Sequence, residues 1–213
     1  MTQCDQKTRL RIILAAIDIF LEKGTRDATV REICEKANAN VASINYHFGS
    51  KELLQHAVLS HILASCYKLY PINEGLEDIE RPEDRLKRLI ANLIRILFPP
   101  DTINASQVRL LWYAIGDPSQ ATALAVEHAL RPVIQKLDSL IQEIAPSIDD
   151  MTRHLLMHSV AAQCVFYAQH RHVVQHMFPD TPYDAEWASC VAEFIFTLTI
   201  AGIDVYKMKS TQP

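Results

Sequence analysis

The sequence predicts an all-α protein. Only 5 of 213 residues are glycine while 49% are hydrophobic. Apolar residues recur at intervals of three and four, and prolines and glycines cut the chain into helix-length pieces. The length suits one large domain or a small domain joined to a larger one.

The first helix carries Leu10, Ile13, Leu14, Ile17, Phe20 and Leu21 as an apolar stripe and ends at Gly24. Thr29 and Glu32 form a capping box for a short second helix whose buried face is Val30, Ile33, Cys34 and Ala37. Asn38 then supplies a residue that tolerates left-handed backbone. Asn40 caps a third helix over residues 41–48. At about 100° per residue, Val41, Ile44 and Phe48 share a narrow inner stripe, while Ala42, Ser43, Asn45, Tyr46 and His47 look outward. After Gly49 and Ser50 a longer helix over 51–70 carries Leu53, Leu54, Ala57, Val58, His61 and Ile62.

Beyond Pro71 come an acidic linker, a helix near 83–98 stopped by two prolines, another near 104–115, and a long one over 118–145 that Pro132 should kink or split. Two more are expected over 149–177 and 184–207, separated by "FPDTPYD". The last is apolar on nearly every side, so a subunit interface is the simplest cover for its second face.

The net charge of −4 is unevenly spread. Residues 1–51 hold eight basic against six acidic residues, a net +2, and the remainder is −6. That asymmetry permits an anionic partner for the N-terminal part without requiring one. The five cysteines, odd in number and scattered, read as reduced thiols. The N-terminus is polar and "FIFTLTIAGI" is shorter than the roughly 20 residues a membrane helix needs, so a soluble, unprocessed, cytoplasmic protein is expected, with no membrane association.

Two short helices joined by a tight turn, the second amphipathic with a small polar outer face, make a helix-turn-helix. A helix that enters the major groove needs small residues where backbone nears the bases, Asn or Ser to read them, and longer polar side chains at its edges for phosphates. The plain alternative is a surface helix in an ordinary bundle. "GTRDATVREI" and "INYHFGSKELL" go further: residues 9–55 resemble the DNA-binding domain of the TetR family of bacterial transcriptional regulators. The resemblance implies that Thr29 and Arg31 lie near the DNA backbone, Ala42 and Asn45 near base edges, and Ser43, Tyr46, His47 and Lys51 on phosphates. Asn38 stands where many members have Gly, and Val41 where many have a polar or basic residue. With "QCVFYAQHRHVV", the chain also resembles the CecR subgroup. It implies a DNA-binding domain over 1–50 and a helical effector-binding and dimerisation domain over 51–213, with 51–70 as connecting helix. It further implies a homodimer on a double-stranded DNA operator, with an effector pocket in each C-terminal domain.

Arg109, Trp112, Tyr113, His128, Phe166, Tyr167 and His170 are candidates to line that pocket, the alternative being that the aromatics are plain core. Val160, Cys164, Val191, Phe194 and Leu198 are candidates for the dimer interface. His154 and His158 share a helical face, with His170, His172 and His176 following, a spacing that can bind metal, and Cys164 with Cys190 admits a redox pair. No Glu follows His154 and no Cys or carboxylate completes the set nearby, so no metal or cofactor is expected; a metal- or redox-responsive regulator is the alternative. An enzyme is not expected, because Glu-x-x-His pairs, a Gly-rich phosphate loop and a G-x-S-x-G elbow are all missing. The reading is a ligand-responsive regulator, a repressor rather than an activator, released from a palindromic operator by a small molecule.

Overall fold

A computed structural model describes residues 3–99, 106–108, 110–111 and 120–210, without the side chains of 3, 120–126, 128, 129 and 210. Among the described residues the regular elements are all helices: α1 Gln3–Asp27, α2 Val30–Lys36, α3 Val41–Phe48, α4 Lys51–Leu69, α5 Pro82–Leu97, α6 Gln120–Ile144, α7 Asp150–Gln169, α8 Arg171–Met177 and α9 Ala185–Ser210. The helix expected near 104–115 lies mostly outside the described residues, though 106–108 and 110–111 are helical. The chain divides into two compact units, 1–65 with 106–129 and 66–105 with 130–213. The division falls inside α4; Leu54, Val58 and Ile62, in the part that belongs to the first unit, are fully buried.

In the first unit α1 buries Ile12, Ile13, Ala16, Ile17 and Phe20, whereas Leu10 and Leu14 are exposed. The inward face is therefore rotated from the expected stripe, because alanines as well as large side chains build it, and counting large residues misses them. Helical geometry is interrupted by a kink at Gly24, whose φ of 81° and ψ of 163° are open to glycine, before α1 runs on to Asp27. The capping box forms as expected: the Glu32 amide donates to Thr29 Oγ1 at 3.2 Å and the Thr29 amide to Glu32 Oε2 at 2.9 Å. Asn38 takes the left-handed conformation, φ 47°. Charge holds α2 to α1 through the Lys23–Glu32 pair and through Lys36, which lies 3.2 Å from Asp18 and 3.4 Å from Glu22.

In the second unit α5 presents Leu86, Leu89, Ile90 and Ile94 to a core shared with α7 and α9. Leu137, Ile141 and Ile144 of α6 belong to the same core. Arg153 joins α7 to α6, donating to Asp138 at 2.6 Å and to Gln142 at 2.7 Å. The acidic linker is held by buried Asn92, whose amide donates to the carbonyls of Ile72 at 2.9 Å and Glu74 at 3.0 Å.

Three expectations change. α6 continues through Pro132 as one helix, so the split does not occur. The single helix over 149–177 is two, broken at His170 (φ −103°, ψ 16°) with no proline or glycine to signal it. And α9 does contain a stretch, Ala185–Lys209, long and apolar enough to cross a membrane, because the apolar helix extends well beyond the run "FIFTLTIAGI". Its inner face is ordinary protein core, with Val191, Ile195 and Ile203 buried and Glu193 paired with Lys87 of α5 at 2.8 Å.

Candidate nucleic-acid interface

α3 is positioned from both ends. At its start Asn40 Oδ1 accepts from the Ser43 amide at 2.8 Å, satisfying a donor the helix leaves unpaired. At its end Gly49, with φ 83°, closes the helix by donating its amide to the carbonyls of Ile44 at 3.2 Å and Asn45 at 3.0 Å. A side chain there would be strained and would meet Leu53 Cδ1 at 3.4 Å. Ile44 and Phe48 anchor the helix in the core.

Val41, expected beside them, is instead 49% exposed. It is the first helical residue, and helical side chains lean toward the N-terminus, away from the body of the helix. Ala42, Asn45 and Tyr46 are exposed, Tyr46 by 72%, and Ser43 and His47 are half-buried. The Tyr46 and His47 rings meet edge-on at 4.9 Å. The outer face of α3 thus offers a methyl, an amide and a phenol, with no Asp, Glu, Lys or Arg on the helix.

Around it, some candidate contacts are more committed than their sequence suggests. The Thr29 hydroxyl donates to Glu32 Oε2 at 2.7 Å, and the Ser43 hydroxyl to Asn40 Oδ1 at 2.9 Å, so neither proton is free for a phosphate. The Asn40 amide nitrogen, beside that cap, is a donor that reading the outer face alone does not count. Arg31 is exposed and ion-paired with Glu35 at 3.1 Å, a surface contact that yields readily to a phosphate. Lys51 Nζ donates to the Arg26 carbonyl at 3.1 Å, which holds the ammonium at the start of α4. That bond spans 25 residues, and no local pattern announces it. Hydrogen bonds from Lys23 and then Thr29 pull the Glu32 carboxyl down to about 2, keeping the capping box charged.

The C-terminal candidates divide. Arg109, Trp112 and Tyr113 lie outside the described residues, as does the His128 side chain. Phe166 and His170 are exposed and stack at 5.0 Å, and half-buried Tyr167 meets Phe166 at 5.6 Å and Trp187 at 5.6 Å. Of the interface candidates, Val160, Cys164 and Val191 are buried in their own unit's core and have no surface to offer, whereas Phe194 is 55% and Leu198 47% exposed. His154 and His158 are exposed, and among the described residues no three His, Cys, Asp or Glu side chains converge as a metal site requires.

Comparison with known proteins agrees with this geometry. The family described as "Bacterial regulatory proteins, tetR family" matches residues 12–58, and "HTH-type transcriptional dual regulator CecR, C-terminal domain" matches residues 82–203. This chain belongs to the TetR family of bacterial transcriptional regulators. It is 30% identical over 155 residues to the HTH-type transcriptional repressor Rv3405c of Mycobacterium tuberculosis, covering 70% of this chain and 82% of that one. It is 29% identical to the HTH-type transcriptional repressor NicS of Pseudomonas putida, over 92% of each chain. Among solved structures, FadR from Bacillus subtilis in complex with stearoyl-CoA shares the fold, with a TM-score of 0.67 at 16% identity over 91% of this chain and 98% of that one. As a TetR-family regulator the chain is a DNA-binding helix-turn-helix protein, and α3 lies within the matched DNA-binding segment.

Proposed function

We propose that this regulator is a repressor that binds a palindromic operator as a homodimer and is released by a small-molecule effector held in its C-terminal domain. The observation that carries this reading is the outer face of α3: exposed, polar, small at Ala42 and uncharged, the surface a helix needs in order to lie in the major groove. Ala42 and Asn45 read base edges. Tyr46, His47, Arg31 and Lys51 hold phosphates, and Thr29, the cap of α2, and Ser43, in the first turn of α3, contribute through the backbone of those helix starts.

Two-fold symmetry places the recognition helices in successive major grooves, about 34 Å apart. The exposed apolar residues of α9, Phe194 and Leu198, support the dimer. Because FadR is solved with stearoyl-CoA, a thioester of coenzyme A is the effector class to screen first. The effector acts through α4, whose first turn follows the recognition helix. Coupling of about 1–3 kcal/mol loosens the operator roughly 5- to 150-fold, enough for a switch. A redox-responsive alternative draws less support: burial pushes the Cys164 thiol up to about 12, far from the thiolate that redox chemistry needs.

Selection of bound duplexes from a random pool tests the reading. An inverted repeat with half-sites one turn apart is expected. Enrichment of a single, non-repeated site, or of none, contradicts it.

A further inference from the structure

The first unit holds a second concentration of polar groups, set back from the outer face of α3. A cleft of about 380 Å³ is lined by residues of α1, α3 and α4. Its polar lining is Arg9, His47, His56, Ser60 and His61, with no carboxylate among them. That differs from the α1–α2 contact, where Lys36 sits between Asp18 and Glu22. The Arg9 guanidinium lies 5.2 Å over the Phe48 ring, which holds the cation in place without cancelling its charge. His56 Nε2 is shielded from water and has no hydrogen-bond partner among the described residues, a cost that a bound acceptor would remove. Burial and then the Arg9 charge hold His61 below its ordinary value of 6.5.

We propose that this cleft binds a phosphate-type oxyanion, with the Arg9 guanidinium as counter-charge and His56, Ser60 and His61 as further donors. A planar guanidinium matches the paired oxygens of phosphate, and each imidazole brings one N–H when neutral and two when protonated. The same guanidinium repels a metal cation. His47, Arg9 and His56 are the titratable or charged groups that share the cleft with His61, so an anion seated among them also favours the protonated form of His61. The oxyanion has two sources. It is a free phosphate-bearing anion, or it is a backbone phosphate of bound DNA, since His47 belongs both to the cleft and to the recognition helix.

Two measurements on the full-length protein separate them. Inorganic phosphate is titrated at constant ionic strength into DNA-free protein carrying ¹⁵N-labelled histidine, and the imidazole resonances of His56 and His61 are followed. Duplex binding is measured across salt concentrations for wild type, Arg9→Gln and His61→Gln, with thermal unfolding confirming that each variant folds. A saturable shift of both rings, with His61 titrating at higher pH and the response lost in Arg9→Gln, identifies a free-anion site. A salt slope shallower by about one per reading head in Arg9→Gln, without a response to free phosphate, identifies a DNA phosphate. If neither ring responds and both variants keep the wild-type slope, the proposal is wrong.

Discussion

The short helix α3 and the last helix α9 both leave much of their surface uncovered, and they do so with opposite chemistry. α3 buries Ile44 and Phe48 and exposes Asn45 and Tyr46, whose polar groups find partners in water. α9 buries Val191, Ile195 and Ile203 and exposes Phe194 and Leu198, which gain nothing from water. Exposure alone therefore says little about function. A polar, small-residue face on a short capped helix fits a hydrogen-bonding ligand, whereas an apolar face on a long helix fits a second protein surface.

The contrast breaks first at the anchor of α3. Ile44→Ala removes a fully buried side chain and should cost about 2–5 kcal/mol of stability, while Val41→Ala, three residues away on an exposed site, should stay within about 0.5 kcal/mol. Denaturant unfolding of the two variants compares them directly, and equal losses would return Val41 to the core. On α9 a charge at Phe194 should act on assembly rather than folding. Phe194→Glu is expected to weaken the dimer on the order of 100-fold, because a carboxylate is costly in an apolar interface, while leaving each chain folded. Sedimentation reads this, and an unchanged dimer would move the interface to another surface.

Smaller effects sharpen the account of what caps α2 and holds it to α1. Thr29→Ala loses the cap and should cost about 1 kcal/mol, visible as a lower unfolding midpoint. The Glu32 carboxylate, held down to about 2 from its ordinary 4.5, favours the folded state above 4.5, and that contribution is lost as pH falls from 4.5 toward 2. Glu32→Gln should flatten the decline in melting temperature across that window; a decline as steep as the wild type's would assign it to other carboxylates.

Local signals were legible in the sequence and long-range ones were not. The Thr29–Glu32 box, the left-handed Asn38 and the Asn40 cap each depend on residues within three positions, and each forms as expected. The exposed Leu10 and Leu14, the break at His170 and the Lys51 bond to the Arg26 carbonyl depend on what the chain meets in space. The same limit applies to the site. That Ala42, Asn45 and Tyr46 of α3 face outward follows from its period, but the exposure of Val41, and the Thr29 and Ser43 protons already spent on their own caps, appear only in the folded geometry. The cleft beneath His47 gathers Arg9, His56 and His61 from two further helices, a grouping with no signature along the chain.

The central claim is that α3 reads bases through Asn45 while its edges hold phosphates. Selection from a random duplex pool, run side by side with wild type, Asn45→Ala and Lys51→Ala at near-physiological salt, tests it most directly. The account predicts that Asn45→Ala loses preference at one base pair in each half-site, at a cost of about 1–3 kcal/mol, while Lys51→Ala keeps the wild-type motif and binds every sequence more weakly. An unaltered motif from Asn45→Ala, or a motif changed by Lys51→Ala, would contradict it.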